Sequence, residues 1–132
     1  MNTLQVSIAR HTKNYEAMVG FYRDKLDMDV TLSWDEPGNR GTLLAFGGKA
    51  SSTVVEVIEL GNEAVPGVQP VNVALSIEVD VVDAWHNELL KRNITIARKL
   101  EDAPWGHRSF GIDDPDGFRI WYYQDMNPKK SA

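Results

Sequence analysis

The same order of secondary-structure signals occurs twice along the chain, and this repeat limits the possible folds more than any other feature of the sequence. Each half opens with a strand in which aliphatic residues alternate with small or polar ones, as Val6 and Ile8 do in the first half. An amphipathic helix and three more strands follow. The halves are offset by about 67 residues, so that Ser7 aligns with Ala74. We therefore predict two βαβββ modules.

Alternation with a period of two gives each opening strand one aliphatic face, and that face requires a covering helix. The matching apolar stripes of the helices are Tyr15, Met18, Val19, Tyr22 and Leu26 in the first half and Val82, Trp85 and Leu89 in the second. The later strands are predicted at Asp29–Trp34, Thr42–Phe46, Thr53–Leu60, Thr95–Leu100, Arg108–Asp113 and Phe118–Tyr123. We expect an α+β fold of two tandem modules that form a curved mixed sheet around a cavity.

Capping residues mark both ends of the predicted helices. Thr12 or Asn14 precedes the first helix and Asp80 precedes the second, and side chains of these types cap helix N-termini. Asp27 and Asn93 follow the two helices. Both types tolerate the left-handed backbone conformation that often ends a helix, so we expect the helices to stop there.

The length of the chain favours one domain, because 132 residues leave little room for a second independent core. We predict a single domain over residues 1–132, with module one at about 1–62 and module two at about 71–125. Residues 61–70 contain two Pro and two Gly, which favour neither helix nor strand. This segment is the predicted linker between the modules.

The composition excludes several classes of function. A net charge of −5 argues against nucleic acid as a partner, since nucleic acid binds to basic surfaces. The absence of Cys excludes disulfides, thiolate metal sites and a cysteine nucleophile. No apolar run is long enough to span a membrane, and the N-terminus does not have the pattern of a secretory signal. We expect a cytoplasmic protein without a membrane partner.

Three segments, taken in order and with their spacing, resemble the vicinal oxygen chelate superfamily. They are Glu16–Leu26, Pro104–Phe110 and the Asp-Asp-Pro-Asp-Gly sequence of residues 113–117. This superfamily includes glyoxalases, ring-cleaving dioxygenases, fosfomycin-resistance enzymes and bleomycin-resistance proteins, and the resemblance covers nearly the whole chain. It implies the fold of paired βαβββ modules, and it also implies a homodimer, because small members usually form dimers.

The resemblance further implies where a divalent metal would be held, with one ligand from the first strand and one from the last strand of each module. Those positions align with Ser7, Glu56, Ala74 and Trp121. Glu56 is a suitable ligand, whereas Ala74 and Trp121 cannot ligate and a neutral Ser7 is a poor ligand. We therefore expect no metal and no other cofactor, which places the chain in the metal-less branch.

Other residues of the predicted cavity are suited to holding an organic ligand. The candidate ligand-binding residues are Ser7, Trp34, Phe46, Glu56, Trp105, Arg108, Phe110, Trp121 and Tyr123. Glu56 is also the candidate base, since a carboxylate within an aliphatic strand is costly unless it is paired or wet. It lies either in the cavity, on a solvated strand face, or beside an arginine of a neighbouring strand.

The aromatic candidates also have structural alternatives. Trp121 either forms a stacking wall or fills the space that a metal would occupy. Trp105 and Arg108 either close the cavity or support their own loop, with the arginine paired to an aspartate. Phe46 and Phe110 belong either to the cavity wall or to the core.

Two functions remain compatible with these candidate residues. The first is a metal-free small-molecule-binding protein similar to the bleomycin-resistance proteins, with an aromatic pocket for a cationic or amphipathic ligand. The alternative is a metal-dependent glyoxalase-like lyase or isomerase, or a dioxygenase, that acts on a substrate with vicinal oxygens. The ligand positions favour the first function, and whether the protein is an enzyme stays open.

Overall fold

The computed structural model describes residues 1–60 and 73–128 of the chain. It divides into two compact units, one for each half of the sequence. The linker that we predicted at residues 61–70 lies outside the described residues. Each unit contains one four-stranded mixed sheet and is described by itself.

The first module follows the predicted order of elements. Its elements are β1 (Val6–Thr12), α1 (Tyr15–Gly20) with a π-helical continuation (Phe21–Lys25), β2 (Asp29–Glu36), β3 (Asn39–Ala45), a 3-10 turn (Gly48–Ala50) and β4 (Thr53–Glu59). The strands lie in the order β1-β4-β3-β2. The β1–β4 pair is parallel and the other pairs are antiparallel.

The second module repeats this arrangement. Its elements are β5 (Leu75–Glu78), α2 (Val82–Lys91), β6 (Arg98–Asp102), β7 (His107–Asp113) and β8 (Arg119–Asp125). The strand order is β5-β8-β7-β6, again with one parallel pair, β5–β8. The α+β class and the repeated βαβββ order are therefore confirmed. The sixth strand differs from the prediction: β6 begins at Arg98 rather than at Thr95.

The helix of the first module covers one face of its sheet. The hydroxyl of Tyr15 in α1 is hydrogen-bonded to the hydroxyl of Thr42, which marks the covered face of β3. Leu44 lies on that face opposite Val55, and both side chains are at most 1% exposed. Met18 of α1 is completely buried as well. Each such side chain contributes about 1.5–3 kcal/mol of transfer free energy, so this face forms the core of the module.

The core of the second module is built from stacked rings. Tyr122 of β8 stacks on Phe110 of β7 with 5.3 Å between ring centroids, and Trp85 of α2 stacks on Tyr122 at 5.2 Å. The ring of His86 in α2 meets Phe110 edge-on at 5.1 Å. Phe110 and Tyr122 are at most 1% exposed. The helix-covered face of this sheet is therefore largely aromatic at its centre.

The helix ends agree with the sequence signals in part. Asp27 and Asn93 have φ angles of 58° and 63°, so both adopt the predicted left-handed conformation. The Thr12 hydroxyl accepts a hydrogen bond from the backbone N–H of Asn14. At α2 the Asp80 carboxylate accepts from the N–H of Val81, the residue just before the helix, so no predicted cap side chain bonds to the first turn of either helix and the predicted caps are wrong. The side chain of Asn14, which was the other candidate cap, makes no capping hydrogen bond.

No helix in the described ranges has the length and apolar character needed to cross a bilayer.

The left-handed conformation of Asn93 predicts a difference between two substitutions. Asn93→Ala should lower the free energy of unfolding by about 1 kcal/mol, because a β-carbon is disfavoured at this φ. Asn93→Gly should match or slightly exceed the original stability, since glycine adopts positive φ readily. Urea unfolding of the three proteins measures the difference, and equal stability of the Ala and Gly variants would contradict it.

Candidate functional site

The face of each sheet that no helix of its own module covers carries several of the candidate site residues. In the second module Trp121 of β8 lies between Ser76 of β5 and Gly111 of β7. Two residues further along β8, Tyr123 lies opposite Ser109. Side chains two apart on a strand share a face, so these residues form two adjacent rows on what we call the open face.

A groove of about 640 Å³ lies on this open face. All of its lining residues belong to the second module: Ser76, Lys99, Glu101, Asp102, Ala103, Pro104, Trp105, His107, Ser109, Trp121 and Tyr123. Its volume is within the range usual for small-molecule sites, roughly 300–1,000 Å³. We call it the second-module groove.

Aromatic rings form much of the groove surface. The His107 imidazole stacks on the Tyr123 ring with 4.6 Å between centroids and 13° between planes. The Arg119 guanidinium carbon lies 5.5 Å from the centre of the Trp121 ring, and its Nε donates to Asp113 at 2.6 Å. Trp105 lies at the rim and is 67% exposed. These rings offer flat apolar surface to a ligand.

The loop that carries Trp105 is fastened to the end of β8. The side-chain amide of Asn127 donates to the Trp105 carbonyl at 3.1 Å, and the Met126 N–H donates to the Gly106 carbonyl at 2.8 Å. Gly106 has a φ of 87°, and a β-carbon there would lie 2.1 Å from the Asn127 side chain. The backbone beside Trp105 is therefore held in place while its indole stays exposed.

Two carboxylates near the groove have different surroundings. The backbone N–H of Asn127 donates to Asp125 at 2.9 Å, and this bond is the main reason why the pKa of Asp125 lies below its usual value. The Asp102 carboxylate accepts a hydrogen bond from Arg108 at 3.3 Å. Asp125 is opposite His107 in the pairing of β7 and β8, so the His107 end of the open face carries negative charge.

Two of the predicted ligand-binding residues lie on the helix-covered face instead. Arg108 donates to Asp83 of α2 at 2.8 Å and to Asp102, and these bonds raise the pKa of Arg108. Phe110 is completely buried in the stacked core. Arg108 is therefore paired with aspartates rather than directed into the groove, and Phe110 belongs to the core rather than to a cavity wall.

Two candidates of the first module, Glu56 and Ser7, lie on its own open face. Glu56 lies on β4 between Ala9 of β1 and Leu43 of β3, and it forms no ion pair or side-chain hydrogen bond with another described residue. Pairing with a neighbouring arginine, which was one of its alternatives, is not seen among the described residues. The carboxylate is half-buried, and the exposed Ser7 lies on the same face.

The aromatic candidates of the first module lie at opposite ends of the β2–β3 pair, with Trp34 near the hairpin and Phe46 at the far end. The Trp34 ring lies over Gly41, where a β-carbon would come within 2.1 Å of it, and its Nε1 donates to Asn39 at 2.8 Å. Phe46 follows the end of β3 and is half-buried. The structure brings Trp105, Trp121 and Tyr123 together in the second-module groove, and Trp34, Phe46, Ser7 and Glu56 are not part of that groove.

Several groove residues were missed by the sequence reasoning. They are Ser76, Lys99, Glu101, Asp102, Ala103, Pro104, His107 and Ser109. One signal was present: His107, Ser109 and Gly111 alternate with Arg108, Phe110 and Ile112. The first set is small or polar and the second is mostly apolar, so period-two alternation alone would have assigned His107 and Ser109 to the open face.

The donors at the four positions that the resemblance assigns to a metal do not suit a divalent ion. Trp121 and Ala74 offer no ligand atom, and Ser7 offers only a neutral hydroxyl beside the single carboxylate of Glu56. Across residues 1–60 and 73–128 there is no group of three His, Asp or Glu side chains placed to hold a metal. We derive no metal-dependent step from this site.

Comparisons with solved structures show the same fold in several proteins. TnmS3, an antibiotic binding protein from Streptomyces sp. CB03234, is 21% identical with a TM-score of 0.74, and the match covers 95% of this chain and 97% of that chain. A member of the glyoxalase/bleomycin resistance protein/dioxygenase superfamily from Sphaerobacter thermophilus is also 21% identical with a TM-score of 0.74, covering 93% and 98%.

The trypanothione-dependent glyoxalase I of Leishmania major is 22% identical with a TM-score of 0.68, covering 94% and 88%. No curated protein sequence matches significantly. At these identities the structural matches establish the fold alone. The sequence pattern of one family, however, matches residues 5–122. The chain therefore belongs to the Glyoxalase/Bleomycin resistance protein/Dioxygenase superfamily.

Proposed function

We propose that this protein binds a small organic molecule in the second-module groove and that binding requires no metal. The observation that carries the proposal is a groove of about 640 Å³ in which Trp105, Trp121 and the stacked Tyr123–His107 pair converge. Clefts of this size with apolar walls and a few polar groups are the usual form of small-molecule sites.

The ligand that suits this surface is flat and carries a positive charge or a polar end. Indole and phenol rings attract both aromatic rings and cations, the latter through the negative face of the ring. Two carboxylates, Glu101 and Asp102, line the groove beside one lysine, Lys99. The net charge of the chain, −5, adds a long-range attraction for a cation.

Glu56 is a second place where the protein would contact a cation. Its carboxylate is half-buried between Ala9 and Leu43 and has no charged partner among the described residues. A partly desolvated carboxylate attracts a cationic group more strongly than an exposed one does. The same side chain is the candidate base if the protein proves to be catalytic.

The comparisons support this proposal without naming the ligand. TnmS3, which shares the fold over 95% of this chain, is described as an antibiotic binding protein. A second structure with the fold is a glyoxalase I, which is an enzyme. Fold does not decide between the two functions, so the proposal depends on the groove residues themselves.

Binding of the planar acridine cation proflavine tests the stacking role of the groove. Trp121→Ala should weaken binding by about threefold to tenfold, because an aromatic contact contributes about 0.5–1.5 kcal/mol. Isothermal titration calorimetry measures the affinity, and circular dichroism checks that the variant is folded. The matched control is Trp34→Phe, which changes a tryptophan outside the groove and should leave the affinity within about twofold. Unchanged affinity in Trp121→Ala, or no binding by the original protein, would contradict the proposal.

Elemental analysis tests the metal-free part of the proposal. Protein purified without chelators should contain no stoichiometric divalent ion, since Glu56 is the only good donor at the four aligned positions. Addition of Zn²⁺, Ni²⁺ or Mn²⁺ should leave the melting temperature unchanged. One tightly held ion per chain that is lost in Glu56→Gln would overturn the metal-free hypothesis and favour the metal-dependent alternative.

A homodimer is the proposed assembly. Val30 and Leu32 are 44% and 56% exposed on β2, which is an edge strand of the first sheet. Exposed apolar side chains on a sheet edge favour association.

Sedimentation equilibrium should give a mass near twice the 14.8 kDa of one chain. Leu32→Glu should shift the protein toward the monomer, because it replaces an exposed apolar side chain of the edge strand with a charge. The control Thr31→Glu adds the same charge at the neighbouring position. A monomer at all concentrations, or a dimer unaffected by Leu32→Glu, would argue against this interface.

A further inference from the structure

We infer that the second-module groove selects a zwitterionic aromatic ligand and that β6 sets the direction in which the ligand lies. The inference rests on the proposed function, and it adds an acidic group to the ligand and a position for each charge. The observation behind it is the order of charges along β6, Arg98-Lys99-Leu100-Glu101-Asp102, in which two bases precede two acids. Lys99, Glu101 and Asp102 line the groove.

A bulge in β6 brings both charge types to the same face of the sheet. Arg98 pairs with Gly111 of β7, and Glu101 pairs with Ser109, so three steps along β6 match two steps along β7. In a regular strand, residues three apart point to opposite faces. The extra residue of the bulge shifts the alternation by one position, so Arg98 and Glu101 lie on the same face. A β-carbon on Gly111 would lie 3.1 Å from the β-carbon of Arg98, which places Arg98 on the open face independently.

The aromatic wall faces this charged strand across small residues. Gly111 and Ser109 of β7 lie between β6 and the rings of β8, since Gly111 pairs with Trp121 and Ser109 pairs with Tyr123. The basic end of β6 is therefore level with Trp121, and the acidic end is level with Tyr123. A flat ligand on these rings has a cation beside one of its ends and a carboxylate beside the other.

The charges at both ends are available to a ligand. Arg98 forms no ion pair with another described residue. Lys99 and Glu101 are 3.7 Å apart with side chains 83% and 62% exposed, and such exposed pairs contribute little. Asp102, by contrast, is held by Arg108. The acidic group of the ligand can thus pair with Arg98 and Lys99, and its basic group can pair with Glu101.

Neighbouring carboxylates strengthen the same polarity. Glu78 of β5 pairs with Tyr123, and Asp125 pairs with His107 at the same end of the open face. At the Trp121 end, Asp113 is paired with Arg119 at 2.6 Å. The two ends of the open face therefore differ in sign, which orients a dipolar ligand.

The geometry also sets the spacing of the two charges. Because of the bulge, Arg98 and Glu101 lie beside Gly111 and Ser109, which are two residues apart on β7, roughly 7 Å at about 3.3 Å per residue. The long side chains of Arg98 and Glu101 extend this span to an amine and a carboxylate at opposite ends of a naphthalene ring. The probe that matches the groove is therefore 6-(aminomethyl)-2-naphthoate.

Three naphthalenes that differ in charge test the inference by calorimetry at low ionic strength. The zwitterion 6-(aminomethyl)-2-naphthoate should bind at least about threefold to fivefold more tightly than either 2-naphthoate or 2-naphthylmethylamine, as expected when one further surface ion pair forms. The advantage should disappear in 1 M NaCl, where surface charges are screened within about 3 Å.

Substitutions in β6 should affect the two charged groups separately. Arg98→Gln combined with Lys99→Gln should remove the advantage of the zwitterion over the amine and leave binding of the amine unchanged or tighter. Glu101→Gln should do the reverse, removing the advantage over 2-naphthoate. Lys13→Gln and Glu36→Gln, which make charge changes of the same sign in the first module, are the controls and should leave all three affinities within about twofold.

The outcomes separate this inference from the proposed function. Equal affinity of the three charged naphthalenes, together with Trp121-dependent binding of neutral 2-naphthylmethanol, would overturn the inference and leave the proposed function standing. Loss of selectivity in the first-module controls would also overturn it, because β6 would then not be its source. If neither the naphthalenes nor proflavine binds, both the inference and the proposed function are wrong.

Discussion

A single helix can cover only one face of a four-stranded sheet, and the other features of each module depend on this constraint. On the covered side the strands supply apolar side chains such as Leu44 and Val55 in one module and Phe110 and Tyr122 in the other. Because strand side chains alternate, the residues between them must occupy the open side. The position of a residue within its strand therefore decides whether it faces the helix or the open side.

Signals carried by neighbouring residues were sufficient to predict the elements of the fold, whereas the site depends on how strands pair. The helix stops at Asp27 and Asn93 follow from their own backbone preferences, and the structure has them. The sixth strand was predicted from Thr95, but pairing with β7 places it from Arg98, three residues later. Phe110 and Tyr123 are both aromatic strand residues, yet only the register shows that one faces the helix and the other faces the groove.

The repeat allows the two modules to be compared position by position. Glu56 in β4 is flanked by Ala9 and Leu43, and Trp121 in β8 is flanked by Ser76 and Gly111. One structural position thus carries a carboxylate in the first module and an indole in the second. A duplicated scaffold permits this difference because each sheet keeps its own covered face, so changes on the open face do little harm to the core.

The bulge in β6 has a consequence for how this strand can change over time. If β6 kept its sequence but paired regularly with β7, Arg98 and Glu101 would be three regular steps apart, and one of the two charges would turn to the helix side. The composition of the strand would not change, but the order of charge along the groove would be lost. Loss of the bulge is therefore as effective as a substitution in altering what this strand presents. Relatives with the same charged residues but a regular strand would present a different surface.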